Sequence, residues 1–154
     1  MNPPTVRSSL RGLSLTEMMV ALSLVGITAA VALPRVQRLF DHTSVKNART
    51  TVISRFNIAR LAATQGSRTA VFNVSAQKVW VVARPRVIAL PGSTVDTLGG
   101  ITDLGSEYGV SVSYSLDSVV FDPRGLGGST GTITLSRGSA TDSVVITAFG
   151  KVSR

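Results

Sequence analysis

The sequence predicts an α+β chain in which one long N-terminal helix packs on a C-terminal domain of antiparallel β-strands. Three observations carry this prediction. An apolar run near the N-terminus is long enough to enter a membrane, an amphipathic helical period follows it, and short β-type runs between turn residues fill the rest. We therefore divide the 154 residues into a short leading segment at 1–12, a helix at 13–65 and a β-rich domain at 66–154.

The apolar run decides whether the helix crosses a bilayer. Residues 18–33 carry no charge, but sixteen helical residues reach only about 24 Å, short of a hydrocarbon core of ~30 Å. Counting from Leu13 gives twenty-one residues and about 31 Å. The predicted membrane segment is therefore 13–33, and it must accept Glu17.

Glu17 is the only charged residue in that segment. A carboxylate near the bilayer centre costs roughly 2.5–3.5 kcal/mol on insertion scales, so an acid inside a membrane helix indicates a function. Arg11 lies just upstream and can extend towards it. A free α-amino group at Leu13, one helical turn away in the same or a neighbouring chain, would be a better partner.

Beyond the apolar run the helical period continues to Gly66, a residue typical of helix ends. Pro34 lacks a backbone N–H and should kink the helix without ending it. Apolar residues then step by three and four along one face. They are Val45, Ala48, Val52, Phe56, Ala59 and Ala63.

A basic row lies beside this apolar stripe, within an arc of about 80° on a helical wheel. Its members are Arg35, Arg38, His42, Lys46, Arg49 and Arg60. The row could contact lipid headgroups, acids of a neighbouring subunit or nucleic-acid phosphate, and a solvated face is an equal alternative. We expect His42 to be exposed, because it has no companions that would make it a metal ligand.

After Gly66 the pattern predicts strands that form one antiparallel sheet on the outer half of the helix. The predicted strands are 69–74, 78–83, 87–90, 110–114, 118–121, 131–136 and 142–149. The first two predict a hairpin, and residues 91–109 are rich in turn residues and predict a long loop. Phe72, Trp80 and Phe121 are predicted to lie in the core.

Composition limits the chemistry that the chain can carry. It has no cysteine and a single histidine, so neither a thiol site nor an imidazole cluster can form. The glycines of residues 125–131 lack the helix setting of a phosphate loop, and the acids Asp96, Asp103 and Glu107 lack EF-hand spacing. We predict no cofactor, no metal and no enzyme activity.

The net charge of +8 is spread unevenly. Residues 35–86 hold ten basic side chains and one acid, a net of +9, whereas residues 87–154 hold four basic side chains and six acids, a net of −2. A basic half suggests contact with phosphate, either of lipid or of nucleic acid.

The head of the chain resembles the class III signal of type IV pilins and type II secretion pseudopilins. A basic leader ends in Gly12, an apolar residue follows, and then come "SLTE", an apolar helix and Pro34. The resemblance implies that a prepilin peptidase cuts after Gly12 and N-methylates Leu13, a position that is commonly Phe in the family. It also implies that Glu17 pairs with the N-terminal amine of a neighbouring subunit as the filament grows.

The C-terminal half is similar to the GspH/FimT branch of pseudopilins and minor pilins. The similarity rests on "VVFDPRGLGG" before a strand and on the closing "FGKVSR". It implies a pilin-like fold and a minor subunit of a type II secretion pseudopilus or a type IV pilus-like filament. Such a subunit passes once through the inner membrane with its C-terminal domain outside the cytoplasm, and joins a periplasmic or surface filament.

The same resemblance names the expected partners. They are other pilins or pseudopilins, the prepilin peptidase, the inner-membrane assembly platform and the lipid bilayer. In this setting the basic row is expected to pack between filament subunits. The alternative function is a DNA-binding minor pilin acting in DNA uptake, with candidate contacts at Lys151, Arg154, Arg137 and Arg124.

Two plainer hypotheses compete for the N-terminus. In an ordinary secretory signal peptide, "AVA" at residues 30–32 would be the cleavage site, and Glu17 would have no role. An uncut signal anchor is the second. Arg7 and Arg11 precede the segment while four basic residues follow it closely, so the positive-inside rule does not settle the orientation. Gly12 and Glu17 together favour the pilin signal.

Overall fold

The computed structural model describes residues 14–84, 96–149 and 152–153. The chain divides into two compact units, Met1–Gln37 and Arg38–Arg154, which we call the first and the second unit. Each is described by itself below.

Helix α1 spans Leu15–Gly66 and contains 52 residues with Pro34 inside it. The helix predicted at 13–65 corresponds to α1, which extends one residue further to include Gly66, while Leu13 lies outside the described residues. The part of α1 in the first unit is exposed, and its apolar side chains are uncovered. By length and composition alone, α1 can cross a membrane.

In the second unit α1 buries one stripe of side chains. The buried residues are the predicted six, Val45, Ala48, Val52, Phe56, Ala59 and Ala63. Five of them are Ala or Val, and such small side chains let the helix approach the strands closely. The predicted amphipathic stripe is thus confirmed residue by residue.

Within the described residues, eight strands and a short helix follow α1. They are β1 (Ala70–Ser75), β2 (Lys78–Ala83), β3 (Asp96–Asp103), α2 (Leu104–Tyr108), β4 (Ser111–Tyr114), β5 (Ser118–Phe121), β6 (Gly131–Arg137), β7 (Ala140–Ile146) and β8 (Val152–Ser153). One four-stranded sheet has the order β3-β2-β1-β5 and the other β4-β6-β7-β8. Every pairing between these strands is antiparallel.

The prediction of a single sheet was wrong. Strand β4 pairs with β6, but β5, only a few residues later, pairs with β1 on the other sheet. The short link at residues 115–117 therefore moves the chain from one sheet to the other. Alternation along a strand shows which side chains are buried, but it does not show which neighbour the strand pairs with.

The long loop predicted at 91–109 was also wrong where the structure describes it, because β3 and α2 lie there. Strand β3 is an edge strand whose residues are mostly exposed, so no apolar alternation marks it. Its pairing with β2 is held by backbone hydrogen bonds. Residues 85–95, which include the strand predicted at 87–90, lie outside the described part.

The remaining strand predictions hold with shifted ends. The predicted hairpin is formed by β1 and β2, with Ala70 opposite Ala83 and Ser75 opposite Lys78. The strand predicted at 142–149 is β7, which begins at Ala140 and ends at Ile146.

The core of the second unit lies between α1 and the strands. Phe56 of α1 makes edge-to-face contacts with Phe72 of β1 and Phe121 of β5, with ring centroids 5.8 and 4.9 Å apart. Phe72 and Phe121 are buried as predicted. Trp80 is not, because Val79 and Val81 face the core and Trp80 points to the opposite, half-exposed face of β2.

Candidate functional site

Glu17 lies in the first turn of α1 and is exposed. An acid at this position interacts favourably with the positive end of the helix dipole. No basic side chain occurs between Ser14 and Pro34, and Arg35 follows about 27 Å further along the helix axis. Within the described part of the first unit, the Glu17 carboxylate therefore has no cationic partner nearby.

Over the described residues from Leu15 to Leu33, the exposed surface around Glu17 is mostly apolar. The exposed apolar side chains there are Leu15, Met18, Met19, Val20, Leu22, Leu24, Val25, Ile27, Val31 and Leu33. Ser23 Oγ and Thr28 Oγ1 donate hydrogen bonds to the carbonyls of Met19 and Leu24, at 2.8 and 2.9 Å. Because these hydroxyls are satisfied within the helix, the segment suits an apolar environment.

Pro34 lies within α1 and is exposed. Its missing N–H leaves the helix without one backbone hydrogen bond at that turn. The predicted cleavage residues Gly12 and Leu13 lie outside the described residues, so their assignment stays a prediction.

The basic row divides into two kinds of residue. His42 is exposed, as predicted, and so are Arg38 and Lys46. Arg49 instead turns towards β7, where its Nε lies 3.6 Å from Asp142 Oδ2. Its side chain is only 23% exposed, so this member of the row faces the second sheet.

Arg137 joins the end of β6 to α1. Its Nε donates to Asp41 Oδ1 at 3.0 Å, and its Nη1 donates to Ser44 Oγ at 2.9 Å and to the Tyr108 carbonyl. We call Arg137 and Asp41 the latch pair. The structure thus gives Arg137, a candidate phosphate contact, three hydrogen-bond acceptors within the second unit.

Two further hydrogen bonds connect α1 to α2 and to β3. Thr51 Oγ1 lies 2.9 Å from the Tyr108 hydroxyl, and Arg55 Nη2 donates to Thr102 Oγ1 at 2.8 Å. These contacts fix α2 and β3 against the helix. Sequence reasoning missed them because they fall in the segment predicted to be a loop. It also missed the latch pair, although Asp41 stands out as the single acid in the basic half.

Arg124 lies in the loop after β5 and is exposed. The loop is organised by Asp122, whose Oδ1 accepts hydrogen bonds from the backbone N–H groups of Arg124 and Leu126 at 2.9 and 2.8 Å. Gly125 has a φ of +78°, and a Cβ placed there would lie 2.7 Å from Thr64 Cγ2 of α1. Glycine is therefore required at this close approach.

The structure does not gather the candidate phosphate contacts into one patch. The loop of Arg124 meets α1 near Thr64, whereas Arg137 meets it near Ser44, about 30 Å away along the helix axis. Lys151 and Arg154 lie outside the described residues.

Asp103, the last residue of β3, has a structural role. Asp103 caps α2 by accepting from the Ser106 N–H at 3.0 Å, and its other oxygen lies 4.0 Å from Lys78 Nζ. Among the described residues, no group of three or more His, Cys, Asp or Glu side chains could hold a metal ion.

A comparison with known protein families gives a match to this sequence. A family model described as "Type II transport protein GspH" matches residues 48–150, which is more than half of the chain. The chain belongs to the GspH family. The resemblance to GspH/FimT-type pseudopilins and minor pilins, first drawn from the sequence motifs, is confirmed for this GspH-family chain.

Solved structures give the same fold. The type IV minor pilin FimU of Pseudomonas aeruginosa, strain PAO1, matches with a TM-score of 0.56 and 11% identity, covering 72% of this GspH-family chain and 87% of FimU. A second crystal form of FimU matches with a TM-score of 0.52 and 12% identity over 70% and 90% of the two chains. At such low identity the two structural matches show the fold alone, which is that of a pilin. No curated protein matches the sequence significantly.

Proposed function

We propose that this GspH-family chain is a minor structural subunit of a type II secretion pseudopilus or a type IV pilus-like filament. The observation that carries the proposal is a bare apolar helix with one acid in its first turn, attached to a folded domain of this family. A surface of that size and character needs lipid or other apolar helices to cover it. In the membrane, lipid covers this surface. In the filament, the apolar helices of neighbouring subunits cover it.

In this proposal the chain catalyses no reaction, and its function depends on the positions of its charged groups. A prepilin peptidase cuts after Gly12 and methylates Leu13, which leaves a positive amine one helical turn from Glu17. Pairing between that amine and the Glu17 carboxylate of a neighbour removes the cost of an isolated charge in an apolar bundle. Glu17 therefore favours the assembled state and sets the register between subunits.

The second unit then faces the periplasm or the exterior, and the chain passes once through the inner membrane. The assembly platform and the cytoplasmic ATPase of the machine would supply the work of extending the filament. A secretion pseudopilus and a pilus would use the same helix, so the role of Glu17 is the same in either machine.

Replacing Glu17 by Gln tests the proposal. Glu17→Gln keeps the size of the side chain but removes its charge, so the chain should still enter the membrane and be processed. Its abundance in filaments detached from cells producing the machine should fall at least several-fold, measured against the membrane pool. The control is Glu107→Gln, which removes the charge of an exposed acid on α2. Equal incorporation of both variants would refute the proposed role of Glu17.

DNA binding is a second candidate, favoured by the net charge of +8 and the exposed Arg124. Contacts from Lys151 and Arg154 alone would give a slope of about −2 in a plot of log affinity against log salt concentration. The measurement is fluorescence anisotropy of duplex DNA with the full chain in neutral detergent. Binding that Lys151→Ala/Arg154→Ala abolishes would support the tail, and no binding at ~50 mM salt would eliminate the candidate.

A further inference from the structure

A groove of about 350 Å³ lies in the second unit between α1 and β7. Its lining residues are His42, Val45, Lys46, Arg49, Thr141 and Asp142. Three members of the basic row thus share one recess with the start of β7, while Val45 supplies an apolar wall. The function proposed above assigns no role to this recess.

The groove carries a net positive charge. Lys46 and Arg49 contribute two permanent positive charges, and Asp142 contributes one negative charge, which leaves one positive charge with His42 neutral. Lys46 and His42 are exposed, so both are accessible to an incoming group. A single negative charge would neutralise the groove.

Arg49 shows that a hydrogen-bond acceptor is missing. Its Nε is buried and has no hydrogen-bond partner among the residues that the structure describes. Asp142 Oδ2 is the nearby carboxylate oxygen, but at 3.6 Å it is too far to accept the hydrogen bond. Buried N–H donors are nearly always hydrogen-bonded in folded proteins. Arg49 and the surplus positive charge lie in the same groove, so one carboxylate would neutralise the charge and, once the Arg49 side chain turns outward, accept from its guanidinium.

We propose that this groove receives an Asp or Glu side chain of a neighbouring pilin-type subunit. The inference rests on the proposed filament role and names the surface of the second unit that a neighbour engages. A carboxylate brings one negative charge and two acceptor oxygens, which matches the Arg49 donor and the Lys46 ammonium. Its methylene stem can contact Val45.

Nucleic acid fits the same groove less well. A phosphate backbone brings a series of negative charges, and Asp142 in the wall of the groove would repel those that Lys46 and Arg49 do not neutralise. A side-chain carboxylate brings one charge and no others. We therefore assign the groove to protein, and phosphate binding becomes an outcome that the test can reveal.

Carbodiimide cross-linking of filaments isolated from native membranes tests the assignment. The reagent activates a carboxyl carbon, Lys46 Nζ attacks it, and an amide forms while the carboxyl oxygen leaves in the urea, so the linked peptides lose one water. The chain provides an internal control, since Lys78 Nζ lies 4.0 Å from Asp103 Oδ2 and should link within the chain. Peptide mass spectrometry identifies both products.

The expected result is a cross-linked peptide that joins Lys46 to an Asp or Glu of another chain. That chain should itself carry a pilin-type signal, with a glycine, an apolar residue directly after it and a glutamate four residues further on, like Gly12, Leu13 and Glu17 here. Lys46→Arg should lose this link and keep its place in the filament. Lys46→Glu should reduce incorporation several-fold, whereas Arg124→Glu, a charge reversal on an exposed loop, should not.

Two results would overturn the assignment. One is a Lys78–Asp103 link with Lys46 unlinked or linked only to its own Asp142. The other is incorporation of Lys46→Glu into filaments at the wild-type level. If this variant also loses binding to duplex DNA, the groove is assigned to phosphate instead. If the filament role itself is wrong, the wild-type chain will be missing from the filament fraction, and this outcome is distinct from both.

Discussion

The Arg137 side chain links three elements of the second unit, because it extends from β6 and bonds to α1 and α2. It bonds to Asp41 and Ser44 on α1 and to the carbonyl of Tyr108 at the end of α2, from the last residue of β6. Isolated surface ion pairs contribute little to stability. The latch pair differs, because both side chains are partly buried, with 37% and 23% exposure, and several hydrogen bonds hold the geometry.

Replacing Arg137 by Ala should lower the free energy of unfolding by about 1–3 kcal/mol, since Asp41 and the Tyr108 carbonyl lose their donor. Urea unfolding of the full chain in detergent measures this, and Trp80, the only tryptophan, reports on the second unit. Arg124→Ala is the control and should change stability by less than about 0.5 kcal/mol. Equal stability of the two variants would contradict a structural role for Arg137.

Gly99 and Gly100 provide a matched pair in β3. Both have positive φ, +73° and +72°, so alanine at either position adds about 1–2 kcal/mol of backbone strain. A Cβ at Gly99 would fall on Arg55 Nη1, whereas a Cβ at Gly100 meets no atom within 4 Å. Gly99→Ala should therefore also displace the Arg55 guanidinium, weaken its hydrogen bond to Thr102 and cost about 0.5–1.5 kcal/mol more than Gly100→Ala.

The Arg55→Ala background checks this reason for the difference. Without the guanidinium there is nothing for the new Cβ to displace, so the two glycine substitutions should then cost the same in urea unfolding. A difference that persists in that background would locate the effect in the backbone.

At the scale of elements, α1 buries a narrow stripe in the second unit, and Phe56 is its largest side chain. Phe56→Ala should cost about 3–5 kcal/mol, because it removes both edge-to-face contacts and leaves a cavity between α1 and the first sheet. Leu61→Ala on the exposed side of the same helix should cost less than about 0.5 kcal/mol. Similar urea midpoints for the two variants would contradict the assigned core.

The sequence predicts those elements whose side chains alternate between core and solvent. The stripe from Val45 to Ala63 and the strands β1, β2, β5 and β6 are recognisable because burial follows the helical or the strand period. Strand β3 is not, since its residues are mostly exposed and its place depends on pairing with β2. The division into two sheets depends likewise on pairing, which a single sequence does not encode locally.

The residues of the candidate site also divide into those that the sequence reveals and those that only the fold reveals. Glu17 can be found from the sequence because a single acid in an apolar helix has a free-energy cost, whether the helix lies in lipid or in an apolar bundle. The latch pair and the groove at Arg49 bring together residues about ninety positions apart in the chain, so only the fold reveals them.

At the scale of the whole molecule, the two units carry different tasks. The described part of the first unit presents apolar side chains and Glu17 and buries nothing of its own. The second unit contains all the buried side chains and the groove. Stability and assembly can therefore change separately, and a core variant such as Phe56→Ala should leave processing at Gly12 intact.

The mass of the N-terminal peptide of the chain purified from its native membrane tests the filament role most directly. A chain that begins at Leu13 and is one methyl group heavier than the unmodified peptide is the predicted result. It would make Glu17 an assembly residue opposite a charged amine. A chain that begins at Leu33 would mean ordinary secretion, and an intact Met1 would mean a simple anchor. Either of these two results would contradict the filament role.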